Sequence, residues 1–155
     1  MKIKRCPIIF HNVISTTVDC KRSEWHRVVQ ATRNAILLQD LYSTGPVIYQ
    51  AAQTEEQNDD VKLTLYMPVN RSVKLQDNSR FKFEETMICE DGLVLRHADL
   101  DDDIELSYEW LRICAESHQF KLMEPFYHIY LDVYGEGMID IYAPIAKEEP
   151  DDLFK

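Results

Sequence analysis

The first half of the chain alternates between hydrophobic and polar positions in a way that predicts one helix among three strands. Runs rich in Ile, Val and Thr, free of Gly and Pro, are typical of strands. Apolar residues at helical spacing from Trp25 to Ile36 predict a helix, with Ser23 as its N-cap. Gly45-Pro46 then ends the helical pattern. The predicted strand, helix, strand and strand cover residues 8–18, 23–41, 47–51 and 61–69.

The second half repeats this order. A strand pair, or one strand interrupted at Asp91-Gly92, is followed by a helix whose apolar stripe begins at Ile104. A cluster of acidic residues precedes that helix and suits its N-terminus, where backbone N–H groups carry partial positive charge. The predicted strands cover residues 81–89, 93–96, 123–134 and 138–145, and the capping aspartates are Asp99, Asp101, Asp102 and Asp103.

The two halves are also similar residue by residue. Leu63 to Val69 matches Ile139 to Ile145, since both read apolar, polar, apolar, Tyr, then a Pro and a β-branched residue. Gly45-Pro46 parallels Glu124-Pro125, and each helix contains one tryptophan. We therefore predict an α+β protein in which two pseudo-symmetric strand–helix–strand–strand modules form one antiparallel sheet assembly, with the helices on one face. The predicted single domain is 1–155, with modules at about 8–69 and 83–145 and an acidic tail at 146–155.

Net charge and composition limit the classes of partner and cofactor that the protein is expected to bind. The formal net charge of −10 disfavours nucleic acid and anionic membranes, which bind basic surfaces. No apolar run is long enough for a membrane helix and no secretory signal is visible, so we expect a cytoplasmic protein. No phosphate-binding glycine loop, nucleophile motif or metal-ligand spacing is present, so we expect no cofactor, no metal and no catalytic residue.

Strand alternation predicts a surface rich in tyrosine on the sheet face opposite the helices. If Ile129, Leu131 and Val133 pack under a helix, the side chains between them face away. Such a surface suits a small-molecule cleft, a protein interface, or simple packing between the two halves. The residues placed on it are Tyr49, Tyr66, His128, Tyr130 and Tyr142.

Two segments resemble a known family. Pro125 to Leu131, followed by Ile139 to Ile145, is similar to the GyrI-like small-molecule-binding domains, which also serve as effector-binding domains of bacterial transcription regulators. The resemblance implies tandem modules about a pseudo-two-fold axis. It implies a ligand cleft that a tryptophan can border, which adds Trp110 to the candidate site. His128 stands where the family has a ligand-facing glutamate, and the helix-turn-helix domain of the regulators is not seen.

The first functional hypothesis is therefore a stand-alone module that binds or senses a small aromatic or lipophilic molecule without catalysis. An alternative is a protein-interaction module, an inhibitor or chaperone-like protein that uses the cleft or the acidic surface. A third is a small-molecule hydrolase. Because His128 replaces an acid, we expect a neutral or anionic ligand whose affinity changes between pH 5 and 8, where an ordinary histidine titrates (about pH 6.5).

Overall fold

The protein folds as one antiparallel sheet of eight strands with two helices. The computed structural model describes residues 2–53, 59–76, 79–98, 103–133 and 135–147. The strand order is β1-β6-β8-β7-β3-β4-β2-β5, which confirms the predicted α+β class. Neither helix in these ranges is long and apolar enough to cross a bilayer. The elements are β1 (Ile3–Arg5), β2 (Ile8–Lys21), α1 (Trp25–Leu38), β3 (Val47–Gln53), β4 (Asp60–Pro68), β5 (Phe81–Cys89), β6 (Gly92–His97), α2 (Ile104–Ser117), β7 (Tyr127–Val133) and β8 (Glu136–Pro144).

Strand register confirms the internal repeat. In the first half Tyr49 of β3 pairs with Leu65 of β4, and in the second half His128 of β7 pairs with Ile141 of β8. The next residues, Tyr66 and Tyr142, therefore occupy equivalent positions. The halves join where β3 pairs with β7, and there Tyr49 pairs directly with His128. Since these two residues correspond in the repeat, the pseudo-two-fold axis passes between them.

Both helices pack on the same side of the sheet, as predicted. Val29 and Ile36 of α1 belong to a buried cluster with Leu65, and Leu111 of α2 belongs to a second cluster with Ile141. Paired residues of an antiparallel sheet point to the same side. The pairings Leu65–Tyr49–His128–Ile141 therefore place both clusters on one face, which we call the helix face.

The opposite face is covered by a two-stranded ribbon formed by residues 3–16 and 81–95. β1 pairs with β6 at one end of the sheet and β2 pairs with β5 at the other, so the ribbon crosses from edge to edge. Its apolar side chains contact a buried cluster at the sheet centre. We call this side the ribbon face. The contacting residues of the ribbon include Cys6, Ile8, Phe10 and Cys89, and the buried cluster is Ile48, Ile129 and Tyr142.

The crossing ribbon decides between two expectations for β5 and β6, which were expected to pair or to form one interrupted strand. β5 pairs with β2 of the first half, and β6 pairs with β1 and β8, so β5 and β6 do not pair with each other. The residues around Asp91-Gly92 continue the ribbon rather than reverse it. The interrupted strand is therefore the expectation that agrees with the structure.

The ends of α1 also differ from the prediction. A short 3-10 helix at Arg22–Glu24 precedes α1. The N-cap of α1 is Glu24, which makes no side-chain cap bond, so Ser23 is not the N-cap of α1. The helix ends at Leu38, which is 83% exposed, and the connection then returns Leu41 to the core. Of the apolar residues after Ile36, Leu37 and Leu38 are therefore exposed, and Leu41 is buried in the connection and not in the helix.

The start of α2 follows the prediction. Asp103 is the N-cap, and its Oδ1 accepts a hydrogen bond of 3.0 Å from the backbone N–H of Glu105. This bond satisfies one of the free N–H groups at the helix start. Asp99, Asp101 and Asp102 lie outside the described residues.

Candidate ligand-binding site

A cavity of about 540 Å³ lies on the helix face between the first turns of α1 and α2. We call it the central cleft. Small-molecule sites commonly have volumes of about 300–1,000 Å³ and apolar or aromatic walls. Aromatic rings and aliphatic side chains make most of its lining, with charged groups among them. The aromatic residues are Trp25, Tyr49, Tyr108, Phe126 and His128, and the aliphatic ones include Ala51, Val61, Leu63 and Ile104.

The pair on the pseudo-two-fold axis forms an aromatic surface in this cleft. The rings of Tyr49 and His128 stack with their centroids 4.5 Å apart and their planes 6° from parallel. Trp25 lies 5.1 Å from the Tyr49 ring, and Tyr108 meets His128 edge-on at 5.7 Å. Such rings offer flat apolar area with few rotatable bonds, which favours the binding of another aromatic group.

Hydrogen bonds fix the tautomer of His128. Its Nδ1 lies 3.2 Å from the carbonyl oxygen of Tyr49, and since a carbonyl oxygen can only accept, Nδ1 carries the proton. In the neutral ring Nε2 is then an acceptor, and the hydroxyl of Tyr108, at 2.5 Å, donates to it. Both ring nitrogens are therefore satisfied by the protein when the ring is neutral.

Burial keeps this cluster uncharged at neutral pH. It lowers the pKa of His128 to about 4, because the buried imidazolium would lose its hydration. Burial likewise raises the pKa of Tyr49 to about 12 and that of Tyr108 above its usual range. The expected titration of His128 between pH 5 and 8 is thus wrong, since the ring sheds its proton below that window.

Four charged side chains line the central cleft, and one pair cancels. Arg112 Nη2 lies 2.6 Å from Glu124 Oε1. Arg22 has no ion-pair partner among the described residues. Its positive charge opposes the rise that burial causes in the pKa of Tyr49 and Tyr108, and it lowers the pKa of His128 further.

The fourth charged side chain, Glu105, acts on a smaller part of the cleft. Its negative charge raises the pKa of Tyr108. Among the described residues, the aromatic surface therefore faces the guanidinium of Arg22, which has no ion-pair partner, and the carboxylate of Glu105 near the Tyr108 side.

The structure places the six predicted site residues in four different locations. Tyr49 and His128 come together in the central cleft, while Tyr130 lines a second cavity on the same helix face. The predicted face is therefore wrong for these three residues. Tyr66 and Tyr142 do lie on the side away from the helices, but the ribbon covers them.

The two covered tyrosines use their hydroxyl groups within the protein. Tyr142 is completely buried, and its hydroxyl donates a 2.7 Å hydrogen bond to the carbonyl oxygen of Cys6 in the ribbon. The hydroxyl of Tyr66 donates a 2.6 Å bond to the amide oxygen of Gln50. These bonds satisfy polar groups that would otherwise be costly to bury.

Trp110 lies outside both cavities. Its side chain is 49% exposed on the outer side of α2, near the exposed Leu106 and Ile113. These three residues are one helical turn apart, so they share the side of the helix that faces away from the sheet. The cleft is bordered instead by the other tryptophan, Trp25.

The face prediction failed because both sides of the central strands are buried. Ile129 and Leu131 were expected under a helix, yet they pack in the ribbon-face cluster with Ile48. When a sheet is covered on both sides, the contrast between apolar and polar positions no longer identifies the inner face. Sequence reasoning also missed Arg22 and assigned Tyr108 to the apolar stripe of its helix. When the two helices are aligned from their first residues, Tyr108 corresponds to Val29. A tyrosine at a position where the other helix has an aliphatic residue is the signal that could have identified Tyr108.

Comparison with known proteins agrees with the fold. A protein-family profile described as a domain of unknown function, DUF5085, matches residues 9–149. None of the curated protein sequences matches this chain significantly.

Solved structures resemble the chain at low sequence identity. The C-terminal domain of EcmrR is 15% identical with a TM-score of 0.68, over 96% of this chain and 100% of that one. In a complex of EcmrR with DNA the TM-score is 0.72 at 15% identity, over 94% of this chain, which spans 58% of the EcmrR chain. A hydrolase from Listeria innocua (13%, TM-score 0.62, 92% of each chain) and SAV2435 bound to tetraphenylphosphonium (9%, 0.54, 94% of each) also match. These likenesses confirm the predicted fold, which the chain shares with the C-terminal domain of EcmrR.

Proposed function

We propose that this chain, which belongs to the DUF5085 family, binds a small neutral or anionic aromatic molecule in the central cleft, without chemical change to the ligand. The observation that carries the proposal is the neutral Tyr49–His128 stack facing the unpaired guanidinium of Arg22. A planar aromatic group can stack on the neutral rings while a carboxylate on it meets Arg22. The cavity of about 540 Å³ is large enough for such a molecule.

The charge of the cleft supports this ligand class over a lipophilic cation. SAV2435 has been solved with tetraphenylphosphonium, which is a cation. In this chain burial keeps His128 neutral, so it offers no negative charge, and a cation on the stack would meet Arg22. Glu105 and Arg22 are both exposed, but the charge of Arg22 acts on Tyr49, Tyr108 and His128, whereas that of Glu105 acts on Tyr108 alone. An anion is therefore favoured at the aromatic surface itself.

The hydrogen bonds of His128 support binding over catalysis. A general base needs a free lone pair within reach of a substrate or water. Nε2 of His128 already accepts from Tyr108, and Nδ1 donates to the carbonyl of Tyr49. Recovery of the ligand unchanged after prolonged incubation, checked by mass spectrometry, separates this proposal from the hydrolase alternative. A hydrolysed product would overturn it.

Arg22→Gln is expected to weaken binding of 2-naphthoate about tenfold, the loss of one charge-assisted contact worth about 1.5 kcal/mol. Quenching of tryptophan fluorescence measures the dissociation constant, because Trp25 lines the cleft. Arg27→Gln is the matched control, since Arg27 is exposed on α1 and lines neither cavity. Tighter binding of tetraphenylphosphonium than of 2-naphthoate, or equal affinities in the two variants, would contradict the charge assignment. If neither compound binds, the protein-interaction alternative replaces the proposal.

A further inference from the structure

A second cavity, of about 490 Å³, lies on the other side of Trp25. We call it the lateral cleft. Trp25 is the one residue that lines both cavities. The lateral cleft is bounded by α1, the start of β3 and the far end of β7. Its apolar lining is Trp25, Val29, Pro46, Val47, Tyr130 and Leu131.

The pseudo-two-fold axis relates the lateral cleft to the α2 side of the central cleft. That side of the central cleft uses the first turns of α2 and the Pro125-Phe126 segment that leads into β7. The lateral cleft uses the first turns of α1 and the corresponding Pro46-Val47 segment at β3. Duplication of the module has therefore placed a similar wall beside each helix. The two cavities differ in shape and polarity because Val29 stands in the lateral cleft where Tyr108 stands in the central one.

The charges of the two cavities differ in one decisive respect. Arg112 and Arg33 hold the same position along their helices, and each lines its own cleft. Glu124 pairs with Arg112 at 2.6 Å, but the residue that corresponds to Glu124 is Gly45, which has no side chain. Arg33 accordingly has no ion-pair partner among the described residues. Its guanidinium is free to meet a ligand.

Two other polar groups line the lateral cleft. Asp132 does not pair with Arg33, and its Oδ1 accepts a 3.0 Å hydrogen bond from the backbone N–H of Gly135. The ring of His26 lies against Trp25, with centroids 3.8 Å apart. Neither group forms an ion pair with Arg33, and Trp25 contributes to the apolar wall of the cleft.

We infer that the lateral cleft is a second small-molecule site that takes an aromatic carboxylate, with its charged group at Arg33 and its apolar body against Trp25, Val47 and Tyr130. The site is separate from the central cleft in every lining residue except Trp25. The inference therefore does not require the central cleft to bind anything.

Methyl NMR with 2-naphthoate tests this inference, because each cavity has its own reporter groups. The methyls of Val29 and Val47 report the lateral cleft, and those of Leu63 and Ile104 report the central one. We expect the lateral methyls to shift to saturation with a dissociation constant of their own. Lateral methyls that stay in place, whatever the central ones do, would overturn the inference.

Arg33→Gln is expected to raise the dissociation constant read at the lateral methyls about tenfold, through loss of one charge-assisted contact worth about 1.5 kcal/mol. The constant read at the central methyls should stay the same, and Arg27→Gln should change neither. Arg33 is exposed, so the substitution leaves the core intact. An Arg33→Gln protein whose lateral methyls titrate as in the wild type would show that the guanidinium does not hold the ligand.

Discussion

Lowering the pH from 7 to 4 is expected to cost the wild-type protein about 3 kcal/mol of unfolding free energy through His128 alone, at about 1.4 kcal/mol per pKa unit. In the folded state burial lowers the pKa of His128 from 6.5 to about 4. Between these values the unfolded chain binds a proton that the folded chain does not, so stability falls as the pH falls. Above pH 6.5 both states hold the neutral ring and the stability contribution is complete.

His128→Gln should remove this pH dependence, because an amide can donate and accept hydrogen bonds without titrating. Urea unfolding at pH 7, 6, 5 and 4 measures it as the difference between variant and wild type, which cancels the titration of carboxylates common to both. His11→Gln, at an exposed histidine of β2, is the control and should follow the wild type. A His128→Gln curve parallel to the wild type would show that the ring is not held neutral by the fold.

Gly92→Ala is expected to destabilise the protein by about 3 kcal/mol, the upper part of the usual range for overpacking a core. A Cβ at this position would clash with Cζ of Tyr142 and lie 2.5 Å from its Oη. The ring cannot move aside, because Tyr142 is completely buried and its hydroxyl is bonded to Cys6 at 2.7 Å. The clash therefore acts on the contact between the ribbon and the sheet.

A second substitution at Tyr142 and a control substitution at Gly45 test the cause of the destabilisation by Gly92→Ala. In a Tyr142→Leu background the distal ring atoms are absent, so Gly92→Ala should cost clearly less there than in the wild type. Gly45→Ala, whose Cβ would meet Pro68 Cγ at 3.3 Å and Pro68 Cβ at 3.5 Å, should cost less than about 1 kcal/mol. Urea unfolding measures the wild type and the four variants. Equal costs of Gly92→Ala in the two backgrounds would mean that the tyrosine ring is not what excludes a side chain.

The sequence by itself determined the elements and their duplication. Helical spacing in the second half and the Asp103 cap located α2, and the match of Leu63–Val69 with Ile139–Ile145 predicted equivalent strands that the register confirms. These features are local, because side-chain period, capping and turn residues act within a few positions of the chain. The correspondence between Tyr49 and His128 in the two repeats was also visible in the sequence.

Only the tertiary structure decided which way the site faces. Alternation along β7 shows that His128 and Tyr130 share one side, but not whether helices or the ribbon cover that side. The answer depends on β3 pairing with β7 and on a ribbon built from residues far apart in the chain. The same long-range contacts bury His128 and leave Arg22 beside it. Burial on both faces removes the polar–apolar contrast from the sequence, so the orientation of the cleft is set by packing and cannot be read from the pattern.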